Sequence, residues 1–164
     1  MTVKEAIEAR RSIRNYDNRP VEQEKLRQVL EAGRLAPSAN NRQDWKFIAV
    51  TDPALRRQLR AACCDQQMVE QAPVVLVVCG QSDDEMTCGQ RRSSINGSIA
   101  LSFMMLQAAE LGLGTCWLGA FYNEKVQQVL GLHETVVAVS PLGYPAEVPQ
   151  ARPRKAFDEV AEIR

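Results

Sequence analysis

The run Val74-Val75-Leu76-Val77-Val78-Cys79 constrains the fold more than any other segment. Pro73 opens it, β-branched residues fill it, and it has no polar alternation, so it reads as a central strand covered on both faces. Such a strand needs helices above and below, and the rest of the chain has helical periodicities to supply them. Thr2 and Glu5 have capping-box spacing ahead of Val3, Ala6 and Ile7, which predicts a short helix ending among arginines. Leu26, Val29 and Leu30 mark one face of a second helix, closed by Gly33 and Pro37, and a polar loop from Ser38 to Asp44 follows. Trp45 to Val50 reads as a strand, with Asp52-Pro53 as N-cap and first turn of a helix through about Ala62.

The longest helix is expected from about Arg92 to Leu111. Ile99, Leu101, Phe103, Met104, Met105 and Leu106 cover nearly its whole circumference, which points to a core or a subunit interface. Gln107 and Glu110 break the apolar stretch before it reaches membrane-spanning length, so no membrane association is expected. Gly112-Leu113-Gly114 should end the helix. Thr115 to Leu118 then looks like a strand, Asn123 like the cap of a helix carrying Val126, Val129 and Leu130 up to Gly131, and Val136 to Leu142 like the last strong strand. The tail from Pro145 has too few apolar residues to form a layer and is expected to lie across the domain surface or a partner. The 164 residues fit one domain, 1–164.

Twenty basic side chains balance twenty acidic ones, which removes the positive field that accompanies nucleic-acid binding. Met1-Thr2-Val3-Lys4-Glu5 runs directly into an amphipathic segment with neither a signal-peptide hydrophobic region nor a cleavage site, so a cytoplasmic location is expected. The five cysteines are odd in number and lack CxxC spacing, which favours reduced thiols over a disulfide framework or zinc knuckle. His133 is the sole histidine and falls in a turn, so neither a three-histidine metal site nor a buried histidine triad is expected. Gly112-Leu113-Gly114 is the only GxG, and it precedes a strand instead of opening a helix, the wrong context for a dinucleotide-binding turn.

Arg10-Arg11-Ser12-Ile13-Arg14 is the densest basic cluster, and it admits two readings. Cations near a helix C-terminus are favoured by the macrodipole without any ligand. Three guanidinium forks with a serine hydroxyl also suit a compact dianion such as a phosphate monoester.

The same stretch resembles the phosphate-binding opening of the nitroreductase family, in which it grips the phosphate of flavin mononucleotide (FMN). Pro37-Ser38-Ala39-Asn40-Asn41-Arg42-Gln43-Asp44-Trp45-Lys46-Phe47 resembles the family's Pro-Ser-x-x-Asn-x-Gln-Pro-Trp-x-Phe loop, which contacts the flavin ring from the opposite subunit. Asp44 stands where the family has proline, and losing proline's fixed φ is expected to loosen the turn. Ala100 to Gly119 resembles the family's core helix and Gly-Leu-Gly-x-x-Trp-x-Gly segment, and Leu142-Gly143-Tyr144-Pro145 its last core strand and turn. The likeness covers essentially the whole chain and rests on the joint order of these motifs.

The resemblance implies an α+β fold with a mostly antiparallel central sheet wrapped by helices, and a homodimer with FMN sites at its interface. The FMN-binding positions it implies are Arg10, Arg11, Ser12, Arg14, Pro37, Ser38, Ala39, Asn41, Gln67, Gly119, Ala120, Arg152 and Arg154. The backbone of Gly119 and Ala120 would face flavin N5, the tail arginines would return to the phosphate, and Phe121 and Tyr122 would wall a substrate pocket. Trp45 and Trp117 are assigned to packing. The implied activity is ping-pong transfer from NADH or NADPH, bound transiently, to an electron-poor small molecule such as a nitroaromatic, quinone or activated alkene, with the difficult chemistry on the flavin and no catalytic side chain. A flavin-modifying or dehalogenating enzyme on the same fold, or a non-enzymatic FMN-binding module, are the alternatives. Gln81 to Arg92 has too little apolar surface to form a lid, so an open site is expected.

Overall fold

The computed structural model describes residues 1–82 and 84–164; Asp83, part of the segment expected to leave the site open, lies outside the described residues. Strands β1 (Trp45–Val50), β2 (Val74–Gly80), β3 (Gly114–Thr115) and β4 (Thr135–Gly143) form one sheet in the order β1-β2-β4-β3, with every pairing antiparallel. β2 is buried along its whole length, as its unbroken apolar run requires. Successive side chains of a strand point to opposite faces. Val75, Val77 and Cys79 accordingly enter one core with Leu59, Val69 and Val126, while Val74, Leu76 and Val78 enter a second with Val29, Leu101 and Met104.

Helices α3 (Pro53–Ala62), α4 (Gln67–Gln71) and α6 (Asn123–Leu130) supply the first layer, and α2 (Gln23–Arg34) and α5 (Arg92–Glu110) the second. α1 (Val3–Ala9) packs on α5 and starts with the expected capping box between Thr2 and Glu5. The result is the expected α+β fold: a central antiparallel sheet between helices.

Several local expectations change. Gly33 does not stop α2, which runs on to Arg34; a Cβ there would lie 2.0 Å from Met104 Cε, so the glycine is what lets α2 approach α5. Asn123 is the first residue of α6, not its cap; its Oδ1 accepts a 2.8 Å hydrogen bond from Val136 N and ties α6 to β4. The strand expected from Thr115 to Leu118 shrinks to β3 plus one bridge between Leu118 and Val139. Cys116 and Leu118 are buried and Trp117 is left 36% exposed, contrary to a packing role within this chain. Trp45 does pack, stacked on Phe47 at 5.6 Å. α5 is not covered all round either: Phe103 is exposed and lines a hollow with exposed Val3 of α1, whose Ile7 is exposed too. No helix among the described residues is long and apolar enough to cross a membrane.

Candidate active site

At the C-terminal end of α1 the chain bends into an extended segment held against the sheet. Ile13 N donates to Thr115 O at 2.9 Å, Ser12 bridges Thr115, and the buried Tyr16 hydroxyl donates to Ile13 O at 2.9 Å. Gly114 permits this approach, since a Cβ on it would sit 2.5 Å from Ile13 Cγ1. With Ile13 pointed inward, its neighbours Ser12 and Arg14 face outward, as alternation demands.

The tail completes this region. Pro145 bridges Tyr16, Ala146 N donates to Asn15 O at 3.0 Å, and the chain then turns back so that Pro149, Gln150, Arg152 and Arg154 face Arg10, Arg11, Ser12 and Arg14 across a cleft of about 230 Å³. Two sets of arginines almost 140 residues apart are thus brought together, and no carboxylate is among the lining residues. Arg11 is partly committed, donating to the carbonyls of Glu8 and Arg10 at the end of α1, yet its buried Nε has no partner among the described residues. Arg14 and Arg154 make only long bonds, 3.3 Å each, to Ser12 O and Arg152 O. The donor-rich, cationic chemistry of this cleft, with an orphaned buried N–H, fits a phosphate monoester. Beneath it lies the Cys116 thiol, pushed up by burial although Arg14, Ser12 and Arg10 pull the other way.

The second group of expected residues is elsewhere. Ser38 to Asp44 leads into β1, the edge strand opposite β3. Ala39 N donates to Asn96 Oδ1 near the start of α5, whereas Ala109 near its end lines a hollow with Arg10 and Arg11. The rise of a helix between those two positions is about 20 Å. One chain therefore does not bring Pro37, Ser38, Ala39 and Asn41 to the arginine cleft.

The loop is held by a network that sequence reasoning missed. Asn96, 1% exposed, donates from Nδ2 to Asp44 Oδ1 at 2.7 Å; the Ser82 hydroxyl donates to Asp44 Oδ2, and Gln81 N to Asp44 O at 2.9 Å. Burial pushes the Asp44 carboxyl up, but the Ser82 and Asn96 hydrogen bonds and the Arg92 charge together outweigh it and hold the group below the usual range. Asp44 thus anchors the turn it was expected to loosen. Next to it, buried Arg92 grips Asp84 at 2.9 Å, and Arg42 reaches the same carboxylate at 3.1 Å, so the polar segment after β2 is clipped to the loop.

Ser12 through Thr115 leads by way of Leu118 to Gly119 and Ala120, both exposed. Gln66, not Gln67, reaches this turn: its Nε2 donates to Ala120 O at 3.1 Å, while Gln67 opens α4 exposed. Tyr122 N donates to Ala62 O at 2.9 Å; Phe121 is half-buried against the α3 and α6 core, and Tyr122 is exposed under Lys125. His133 is exposed, and no group of potential metal ligands occurs among the described residues.

The nitroreductase family model matches residues 7–70 and 60–144, which includes the arginine segment, the loop and all four strands. The chain belongs to the nitroreductase family. Among its relatives, an NADH dehydrogenase of Thermus thermophilus is 35% identical, over 90% of this chain and 88% of that protein. An FMN reductase [NAD(P)H] of Bacillus subtilis is 32% identical, over 88% of this chain and 66% of its own length. The solved structure of a nitroreductase family protein from Clostridium difficile 630 superimposes with a TM-score of 0.87 at 29% identity, covering 99% of this chain and 98% of that one. Against the motif expected of a nitroreductase, the one change in the loop is Asp44, which is also the residue most heavily bonded to the scaffold.

Proposed function

We propose that this nitroreductase is an FMN-dependent NAD(P)H oxidoreductase, working as a homodimer on electron-poor small molecules such as nitroaromatics, quinones or activated alkenes. The carrying observation is the cationic cleft, in which five arginines and one serine converge with no carboxylate among the described lining residues. Arg10, Arg14, Arg152 and Arg154, with the Ser12 hydroxyl, would hold the phosphate; Arg11 would contribute its free Nε while its fork caps α1. When bound, FMN would supply the two-electron exchange at N5.

The chain's own part is binding, orientation and shielding. Gly119 and Ala120 offer backbone N–H groups on a turn fixed by Gln66, a small-residue surface that a flat ring can approach closely. The loop Pro37 to Asn41 would meet the ring from a second copy, since within one chain it lies away from the cleft. The exposed apolar residues Val3, Ile7 and Phe103, with Val148, Phe157, Val160 and Ile163 of the tail, suit burial between two copies. Nicotinamide and acceptor would occupy the same ring face in turn, which gives ping-pong kinetics.

The purified protein should be yellow, release FMN and not FAD on denaturation, and bleach anaerobically with NADH or NADPH. Steady-state rates with a panel of quinones and nitroaromatics should give parallel double-reciprocal lines. Protein that stays colourless after FMN addition overturns the flavin reading; bound flavin that NAD(P)H fails to bleach leaves a binding module instead of an enzyme.

A further inference from the structure

Three residues of the loop give it an unusual backbone. Asn40, Asn41 and Gln43 have φ of 55°, 53° and 53°, in the left-handed region that asparagine tolerates and most other L-residues, glutamine included, avoid. Local bonds account for part of the restraint: Gln43 N donates to Ser38 Oγ at 3.0 Å and Asn41 N to Ser38 O at 2.9 Å. These hold the loop to itself but do not aim it. Such strained backbone persists only where its surroundings over-determine it.

The aim comes from the scaffold through two side chains. Asn96, buried on α5, accepts from Ala39 N with one end of its carboxamide and donates to Asp44 with the other, so it clasps the loop at both its start and its finish. Asp44 in turn receives the Ser82 hydroxyl from the end of β2, which fixes the loop between helix and sheet. We infer that Asp44 is a positioning residue for the flavin ring: through Asn96 and Ser82 its carboxylate sets the Ser38 to Gln43 loop in the one arrangement that meets the ring, taking over by hydrogen bonding what proline does there by restricting φ. The inference rests on the flavin reading above and deepens it, since it names what orients the ring-contacting half of the site.

A positioning role has a signature that a general structural role lacks, because the loop and the cleft serve different parts of one ligand. Asp44→Ala removes both side-chain bonds and should raise the dissociation constants of FMN and riboflavin together, by about tenfold. Competition by ribose 5-phosphate, which has the phosphate but no ring, should not change. The visible circular dichroism of the bound flavin should also change, because the ring sits in an altered surround. Asp44→Asn, which keeps an acceptor for Asn96, should recover most of the affinity.

Ser82→Ala, a milder change at a half-buried position, should shift riboflavin affinity in the same direction without endangering the fold, and it decides the matter where Asp44→Ala fails to fold. Wild-type protein that binds FMN, alongside variants with unchanged riboflavin affinity and dichroism, overturns the inference while leaving the flavin reading intact. A loss of ribose 5-phosphate competition equal to that of riboflavin also overturns it, since Asp44 would then be supporting the fold as a whole. Wild-type protein that binds neither FMN nor riboflavin overturns both.

Discussion

The arginine cleft and the Asp44 network are both polar, yet the first keeps a buried donor unpaired among the described residues and the second closes on itself. In the cleft Arg11 Nε is buried without a partner and Arg14 and Arg154 hold only long contacts to main-chain oxygen. In the loop, the Asp44 carboxylate and both ends of the Asn96 carboxamide are bonded. Unsatisfied donors mark a place prepared for a ligand, whereas a closed network marks a place prepared to keep its shape. Substitutions should therefore act on affinity in the first region and on both stability and ring geometry in the second.

The largest effect is expected at the cleft. Arg14→Ala should weaken FMN binding by about 1.5–3 kcal/mol, roughly ten- to a hundredfold, as for loss of a charge-assisted hydrogen bond. Riboflavin affinity and the urea midpoint of the apoprotein should stay near wild type. An equal loss for riboflavin would remove the distinction between the two regions.

Asn96→Ala should give the opposite pattern. It leaves Ala39 N without its partner in a half-buried site and Asp44 without one of its donors, so apoprotein stability should fall by about 1–3 kcal/mol in urea denaturation. Unchanged stability would mean that water replaces the network without cost and that the loop is not held by it.

The smallest effect lies behind the cleft, where Tyr144 fixes the turn from which the tail departs. Its hydroxyl donates to Glu22 and accepts from Lys25, and the bond from Tyr144 is the main reason that the Glu22 carboxyl is lowered from 4.5 to about 2. A depressed carboxyl stabilises the fold above its ordinary range and ceases to do so as pH falls through its folded value. The difference in urea midpoint between wild type and Tyr144→Phe should accordingly be largest near neutral pH and shrink from pH 4.5 towards 2. Glu22 is exposed, so the difference should be small throughout. A gap that widens in acid would show that another group holds the turn.

Much of this was legible in the sequence, and the parts that were not share a cause. Val74 to Cys79, Trp45 to Val50 and the Asp52-Pro53 helix start follow from periodicity and capping, and the structure reproduces them. The arginine cluster was legible as chemistry, and its meeting with Arg152 and Arg154 was legible through the family resemblance. What escaped was long-range: Gly33 read as a helix stop is a contact with Met104, and Asn123 read as a cap is a tie to β4. Asp44 read as a loosened turn because its partners, Ser82 and Asn96, lie 38 and 52 residues away. α4 is five residues long, too short to show a period, and with it went the contact of Gln66 with Ala120.

In the proposed dimer the cleft of one chain and the loop of another make one flavin site. Two variants test it directly: Arg14→Ala, which spoils the cleft, and Asn41→Val, which puts a β-branched residue at a φ of 53° and spoils the loop. Each alone should bind FMN poorly. Mixed, partly unfolded together and refolded, they should form mixed dimers in which one of the two sites has both halves intact, and FMN binding should return to about a quarter of the wild-type amount by random pairing. Binding in the mixture no greater than the average of the two separate variants would contradict the shared site.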